Sequence, residues 1–504
     1  MSGHTVTLLP SGVHRQFPTG TLLSDALLDM GVAVRTPCGS RGTCGKCRVR
    51  VEGPPGEVPA CRTPVDRDLS VHAEPGAPDP GVRLPSLGPD SRIGAAVDIG
   101  TTTVKIALAD IGRGTSFEVS SLLNPQRRYG HDVISRIAAA ADPAVRTSMA
   151  GLIRRAVKLS LENALAGAGR TMDDIMAAAF SGNTTMLYLL LGMDTAPLGR
   201  YPYTAKTRDF PGLQPESAGF RPDCRTEVTA LPVLSAFIGG DLVGSLALCH
   251  DAGRTENTFF IDLGTNGELF CLDGSGRIFA TSCAMGPALE GMNISWGMTA
   301  DDGAITHIRE TPDGLGYDMI GSGEPAGITG TAVVDLLGVL LDRGIVNPNG
   351  AFSPGLETMA LPAPLRPARD GDSRALGLWG PVMLTQKDIR NVQLAKAAAL
   401  AASRFILDAA GSRPEDIRHV YIAGALGGHA DMGGLRRLGF LPAFPDASFE
   451  YLGNTSLQAA VQACLDPGFL RRAAALRDRT HEVVLSERKG FQDVFLESVN
   501  FPRG

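Results

Sequence analysis

GAAVDIGTTTVKIALAD, residues 94–110, holds an apolar run, an aspartate, a Gly-Thr-Thr-Thr turn and a second apolar run. Apolar runs on either side of a glycine turn read as strand, turn, strand. The design returns about 160 residues later as NTFFIDLGTNGELFCLD, residues 257–273. The shared kernel is apolar strand, Asp, Ile or Leu, Gly-Thr, apolar strand. Self-similarity over such a distance predicts two related lobes. YIAGALGGH, residues 421–429, adds a strand that ends in a Gly-rich turn.

Transfer or cleavage of a γ-phosphate needs backbone donors around the phosphates, a hydroxyl or two, and carboxylates that hold Mg2+ through water. The first turn supplies Asp98 with Gly100, Thr101, Thr102 and Thr103. The second supplies Asp262 with Gly264, Thr265, Asn266 and Gly267, and Glu268 close behind. In the third, Gly424, Ala425, Gly427 and Gly428 let the backbone lie flat against an adenine. One Asp-Gly-Thr turn alone is most simply an ordinary β-turn. Three in this order resemble the phosphate-1, phosphate-2 and adenosine motifs of the ASKHA superfamily, the group of acetate and sugar kinases, Hsp70 and actin. No G-x-x-x-x-G-K-[ST] loop competes for the nucleotide. The resemblance implies ATP and Mg2+ as ligands, with Asp98 and Asp262 positioning Mg2+ or the attacking water. Thr101, Thr102, Thr265 and Asn266 would contact phosphates, and the glycines of the third turn would line the adenosine pocket.

A different chemistry stands at the front. PCGSRGTCGKC, residues 37–47, carries three cysteines, and Cys61 follows in VPACRTPV. The spacing of Cys38, Cys44, Cys47 and Cys61 is C-x5-C-x2-C-x13-C. Two-iron clusters are held by four thiolates in a pattern of this kind. Gly39, Gly42 and Gly45 suit a loop that must turn tightly and aim N–H groups at inorganic sulfides. A four-thiolate zinc site is the alternative, although a zinc ribbon shows two C-x2-C knuckles and this chain has one. TPCGSRGTCGKCRVRV resembles the cluster loop of two-iron ferredoxins, with a first gap nearer the adrenodoxin type and a short insert before the fourth cysteine. That resemblance implies a [2Fe-2S] cluster.

The surroundings fit a soluble enzyme. Net charge is −6, so no global basic field invites nucleic acid. No apolar run reaches the ~18 residues of a membrane span. MSGHTVTLLPSG lacks the basic-then-apolar order of a signal peptide, so the expected compartment is the cytoplasm, where thiols stay reduced. Cys249 and Cys271 lie in apolar runs and read as core residues.

The expected fold is α/β. Residues 1–75 form a small β-grasp, ferredoxin-like domain with a hairpin, the helix TLLSDALLDMGV and closing strands. Residues 76–92 are a Pro/Gly-rich linker. Residues 93–504 form a two-lobed ASKHA domain, its second lobe beginning near residue 257. Helices are expected within VRTSMAGLIRRAVKLSLENAL and TQKDIRNVQLAKAAALAASRFILDAAG.

SGNTTMLYLLLG, SCAMGPALEGMNISWGM, ITGTAVVDLL and TQKDIRNVQLAKAA are similar to motifs of the reductive activators of corrinoid proteins. That family joins a two-iron ferredoxin domain to an ASKHA ATPase domain. The resemblance implies ATP-dependent electron delivery from the cluster to Co(II) of a corrinoid protein, regenerating Co(I) for methyl transfer. It implies a corrinoid protein and a low-potential electron donor as partners, and it is compatible with a homodimer.

Within GMNISWGM, Met292, Ser295 and Trp296 are candidates to face that partner; the plainer reading makes Met292 and Trp296 core contacts and Ser295 a local hydrogen-bonder. NPQRRYGHDVISRIAAA, residues 124–140, reads as a partner patch, a hinge, or a solvated helix start. Two other functions stay open on sequence: an ASKHA small-molecule kinase with a redox-sensing domain, and a nucleotide-gated regulatory module.

Overall fold

A computed structural model describes residues 3–32, 34–73, 87–88, 90–424 and 432–502. The candidates Ala425, Gly427 and Gly428, and most of the expected linker, lie outside the described residues. The architecture is mixed α/β. Among the described residues, no helix is long and apolar enough to cross a membrane.

The N-terminal hairpin pairs Gly3–Leu9 with His14–Pro18. Gly3–Leu9 also runs parallel to Leu69–His72, which continues through Arg48–Val51 to Glu57–Pro59. The helix Leu23–Asp29 covers this sheet, and Val6, Leu8, Leu23, Ala26, Leu27 and Val71 close the core without solvent exposure. Alternation along Gly3–Leu9 turns Val6 and Leu8 inward, the period-2 signature of a half-buried strand. A sheet whose first strand is antiparallel to the second and parallel to the last is the β-grasp order.

The chain divides into two compact units. The first gathers Met1–Thr36, Ser40–Asp251 and Thr455–Asp478. Its large sheet runs Thr115–Leu123, Thr103–Asp110, Ile93–Ile99, Ile175–Gly182, Glu227–Ala230. Asp142 caps the long helix Pro143–Gly167, accepting from the Ala144 N–H, and Pro143 fits the first turn, where no N–H partner is needed.

The second unit gathers Pro37–Gly39, Ala252–Asn454 and Arg479–Gly504. Its sheet runs Ser448–Gly453, His419–Ala423, Thr258–Leu263, Asn266–Leu272, Ile278–Ala284, with Thr480–Glu482 at the edge. In both units the first strand lies antiparallel to the next in sequence and parallel to a later one. Each unit thus contains a sheet with the same start, an antiparallel pair followed by a parallel neighbour. Gln386–Ala410 opens with a capping box from Thr385 and Asp388 and ends at left-handed Gly411.

Candidate functional site

In the first unit, Ile93–Ile99 and Thr103–Asp110 leave Gly100, Thr101 and Thr102 to make the turn. The Gly100 N–H donates to the Thr103 carbonyl at 3.0 Å. A Cβ on Gly100 would stand 2.5 Å from that same oxygen, so only glycine closes the turn. Asn124, fully buried, braces it from below: its Nδ2 donates to the Gly100 carbonyl at 2.9 Å and its backbone N–H to the Thr102 carbonyl at 2.8 Å. Arg136, also without exposure, donates to the Thr101 carbonyl at 2.7 Å and to the Gly130 carbonyl at 2.9 Å. Burial lowers its pKa to about 10, with Asp132 opposing and Arg127 adding to the shift. Thr101 Oγ1 accepts from Asn183 Nδ2 at 3.0 Å, and Asn183 caps the helix Thr184–Leu191.

Asp98 sits at the end of its strand, beside Ser181 and Lys105 in register. Ser456 donates to Asp98 Oδ1 at 2.7 Å, and Ser181 lies 2.8 Å from the Ser456 hydroxyl. Asp241 opens the helix Gly240–Asp251. Burial raises its pKa to about 7, partly offset by the Leu242 N–H and reinforced by the charge of Asp98. Two nearby carboxylates disfavour ionising together, so the charge of Asp98 adds to the effect of burial on Asp241. Gly239 brings this helix start in, because a Cβ there would lie 2.4 Å from the Asn183 Cα.

In the second unit, Asp262 pairs in register with Glu268 and with Ala423. Thr265 Oγ1 donates to Glu290 Oε1 at 2.7 Å. Gly267 is fixed by sulfur, since a Cβ would stand 2.4 Å from Met285 Sδ and 3.0 Å from Cys283 Sγ. Gly424, at φ +124°, leaves a Cβ only 2.6 Å from the Leu263 carbonyl and 3.1 Å from Asp262 Oδ1. The third turn therefore begins directly against the aspartate of the second, and the Tyr451 hydroxyl donates to the Gly424 carbonyl.

The cysteine loop is built for enclosure. Cys38, Cys47 and Cys61 are each 1% exposed, and Cys44 is half-buried. Cys47 and Cys61 lie with sulfurs 3.1 Å apart. Gly39, Gly42 and Gly45 all have positive φ. The Thr43 hydroxyl is buried with no hydrogen-bond partner among the described residues, a polar atom left for something the loop surrounds. Among those residues no three His, Cys, Asp or Glu side chains are arranged around one metal ion. A two-iron cluster shares its four thiolates between two irons, so it asks for pairs such as Cys47 with Cys61. The donor set and the orphaned hydroxyl fit such a cluster.

The loop 291–298 is pinned from one side. Ser295 donates its N–H (2.8 Å) and its hydroxyl (3.1 Å) to Asp388 Oδ1, and Met292 is 6% exposed. Trp296 packs partly against the core, so the accessible face of the loop belongs to Asn293 and parts of Ser295 and Trp296.

Comparison with known proteins agrees along the chain. Residues 6–66 match the 2Fe-2S iron-sulfur cluster binding domain, residues 93–250 the RACo middle region, and residues 256–504 the C-terminal ASKHA domain of RACo. The chain belongs to the RACo family. The corrinoid activation enzyme RamQ of Eubacterium limosum is 30% identical over 380 residues, 72% of this chain and 62% of that one. A [Co(II) methylated amine-specific corrinoid protein] reductase of Methanosarcina barkeri is 27% identical over 294 residues, 51% of this chain and 48% of that one. The chain therefore spans about half to three-fifths of the length of these curated relatives. A solved reductive activator for corrinoid, iron-sulfur protein is 25% identical, with a TM-score of 0.75 over 99% of this chain and 98% of that one. The RACo assignment carries a 2Fe-2S domain and a nucleotide-type ASKHA domain with it.

Within this RACo-family chain, the sequence reading singled out the first two turns, Gly424 at the start of the third, and the cysteines. It missed Asp241, Asn124, Arg136, Glu290 and Ser456. Asp241 had a local signal, the Gly-Gly-Asp step in AFIGGDLVG. Ser456 had none.

Proposed function

We propose that this chain is an ATP-dependent reductase of a protein-bound corrinoid, returning Co(II) to Co(I) so that methyl transfer can resume. One electron enters from a low-potential donor and leaves to cobalt, while one ATP and one water become ADP and phosphate. The observation that supports this most directly is the joining, in one RACo-family chain, of a cluster-binding domain to paired Asp/Gly-Thr lobes. The names of its relatives supply the substrate: a corrinoid protein.

ATP is needed for a thermodynamic reason. A plant-type two-iron centre lies near about −400 mV, and each ~59 mV of deficit lowers a one-electron equilibrium tenfold. Coupling to nucleotide hydrolysis makes an uphill transfer effectively one-way.

Cys38, Cys44, Cys47 and Cys61 would hold the cluster, whose chemistry is the carriage of a single electron. Thr43 Oγ1, buried next to Cys44 in the chain and without a partner among the described residues, would be available to donate toward it. Asp98 and Asp262 would hold Mg2+ through water. Glycine backbone and the hydroxyls of Thr101, Thr102 and Thr265 would cradle phosphate oxygens. Asp241, ionising near neutrality, would accept a proton at its carboxylate oxygen from the attacking water. The exposed part of the loop 291–298, with Ser295 and Trp296, would meet the corrinoid protein.

The test mixes full-length holoprotein, Mg-ATP, dithionite and a Co(II) corrinoid protein, and follows the Co(I) absorption band. Growth of the band that needs ATP is expected. An equal rate without nucleotide would overturn the reading, and phosphorylation of a sugar or short acid in its place would point to a kinase.

A further inference from the structure

Among the described residues, Ser40 is the only non-glycine of the cysteine loop in left-handed backbone, at φ +63°. Side chains other than glycine adopt that conformation reluctantly, and Gly39 before it and Gly42 after it are the natural occupants. What serine adds is a hydroxyl. The Ser40 hydroxyl accepts a hydrogen bond from Arg127 Nη2. Strain held at a site that glycine would relieve is the mark of a contact worth keeping.

Arg127 belongs to the short helical segment Pro125–Tyr129, which Asn124 caps. Its backbone N–H donates to the Asn124 carbonyl at 3.1 Å. Asn124 in turn holds the Gly100 carbonyl through Nδ2 at 2.9 Å. An unbroken set of hydrogen bonds thus runs from the phosphate turn, through Asn124 and Arg127, to Ser40 in the cysteine loop. Gly100, Asn124, Arg127 and Ser40 all lie in one compact unit. A second tie runs beside it, where Arg155 Nη1 lies 2.8 Å from Asp29 Oδ1 at the end of Leu23–Asp29. On that helix Asp25 is half-buried; desolvation raises its pKa, and the positive charges of Arg127 and Arg128 oppose the rise.

We propose that Arg127 is a positioning residue that couples the Gly100 turn to the cysteine loop. It rests on the reading above for the identity of the two ligands. A nucleotide held at the turn fixes Gly100 and Asn124, and so fixes where the guanidinium sits against Ser40. In the other direction, one electron added to the cluster makes the loop more negative and strengthens its pull on that cation. Coupling between binding equilibria is reciprocal: the factor by which nucleotide changes the ease of reduction is the factor by which reduction changes nucleotide affinity.

The experiment measures binding of Mg-AMP-PNP to the full-length holoprotein by calorimetry, once oxidised and once reduced by dithionite under argon. The wild-type affinities are expected to differ at least about fivefold, the lower edge of ordinary coupling. In Ser40→Gly, which relieves the backbone and removes the acceptor, and in Arg127→Met, the ratio falls to one while visible absorption and oxidised-state affinity persist. If Ser40→Gly loses its cluster, Arg127→Met, outside the loop, decides between the outcomes alone. A wild-type ratio of one, or a ratio that survives in the variants, overturns the coupling. ATP-dependent Co(I) formation is scored separately in the same wild-type preparation. Its presence with a ratio of one sinks the coupling and leaves the reductase reading intact; its absence with a ratio above five does the reverse.

Discussion

Ser456 reaches Asp98 across 358 positions of chain, its hydroxyl 2.7 Å from Oδ1. The segment Thr455–Asp478 returns to the first unit after about 200 residues spent in the second, and it brings Ser456 to the end of the strand Ile93–Ile99. Ser181, 2.8 Å from the Ser456 hydroxyl, orients that hydroxyl, which in turn holds the carboxylate in place.

Replacing Ser456 with alanine should lower kcat for ATP hydrolysis about tenfold with little change in KM, because the lost bond orients a group acting in the transition state. Stability should fall by roughly 1.5–3 kcal/mol, the range for a bond to a charged group. Ser456→Thr keeps the hydroxyl and should recover most of the rate. Steady-state kinetics beside thermal unfolding separates the two effects, and an unchanged kcat in Ser456→Ala would remove the role.

Asp241 sets a pH dependence of stability in the nucleotide-free protein. Its folded-state pKa, pushed up to about 7 by burial, exceeds the unfolded carboxylate value, so the folded form binds the extra proton between those values. Its contribution is therefore present at pH 4 and lost as pH rises through 7. Asp241→Asn should melt higher than wild type at pH 8, by roughly 3 °C for each ~1 kcal/mol regained. At pH 4 the two should melt together. A difference of equal size at both pH values would mean that ionisation is not the cause.

Gly424→Ala should cut nucleotide affinity at least about tenfold, since a left-handed backbone and a 2.6 Å approach to the Leu263 carbonyl both oppose a Cβ. Gly100→Ala should do the same through the Thr103 carbonyl, 2.5 Å away. Iron content and visible absorption should not change in either, which calorimetry and metal analysis on one preparation would establish.

Cys44→Ser should abolish the visible charge-transfer absorption and most of the bound iron, leaving nucleotide affinity of the protein within about threefold of wild type. Thr43→Val, which removes only the orphaned hydroxyl, should keep both irons and lower the midpoint potential, because one donor toward the cluster is gone. An unchanged potential would reassign Thr43 to packing.

Ser295→Ala should slow corrinoid reduction while sparing ATP hydrolysis without the corrinoid protein. It removes one of two bonds that Ser295 makes to Asp388, and the backbone N–H keeps the loop attached at 2.8 Å. If both rates stay at wild-type values, the loop's role in meeting the partner falls away.

The sequence by itself determined what is written in short windows. Strand, aspartate and Gly-Thr turn fall within about ten residues, and the glycines at 100, 267 and 424 are demanded by carbonyls and sulfurs that the turn itself or its neighbouring strands supply. The cysteine spacing is legible for the same reason, and so are the stretches that form the helices Pro143–Gly167 and Gln386–Ala410. Only the tertiary structure decided which charges meet. Asp241 has a raised pKa because burial removes its water and Asp98 lies close by, and neither condition is visible from Gly-Gly-Asp alone. Arg127 and Arg136 read alike in NPQRRYGHDVISRIAAA, yet Arg136 is fully buried under the Thr101 carbonyl and Arg127 reaches Ser40. Backbone conformation follows local sterics and is encoded locally. Electrostatic environment is summed over everything the fold brings near, and a residue such as Ser456 acquires its partner only when the chain comes back.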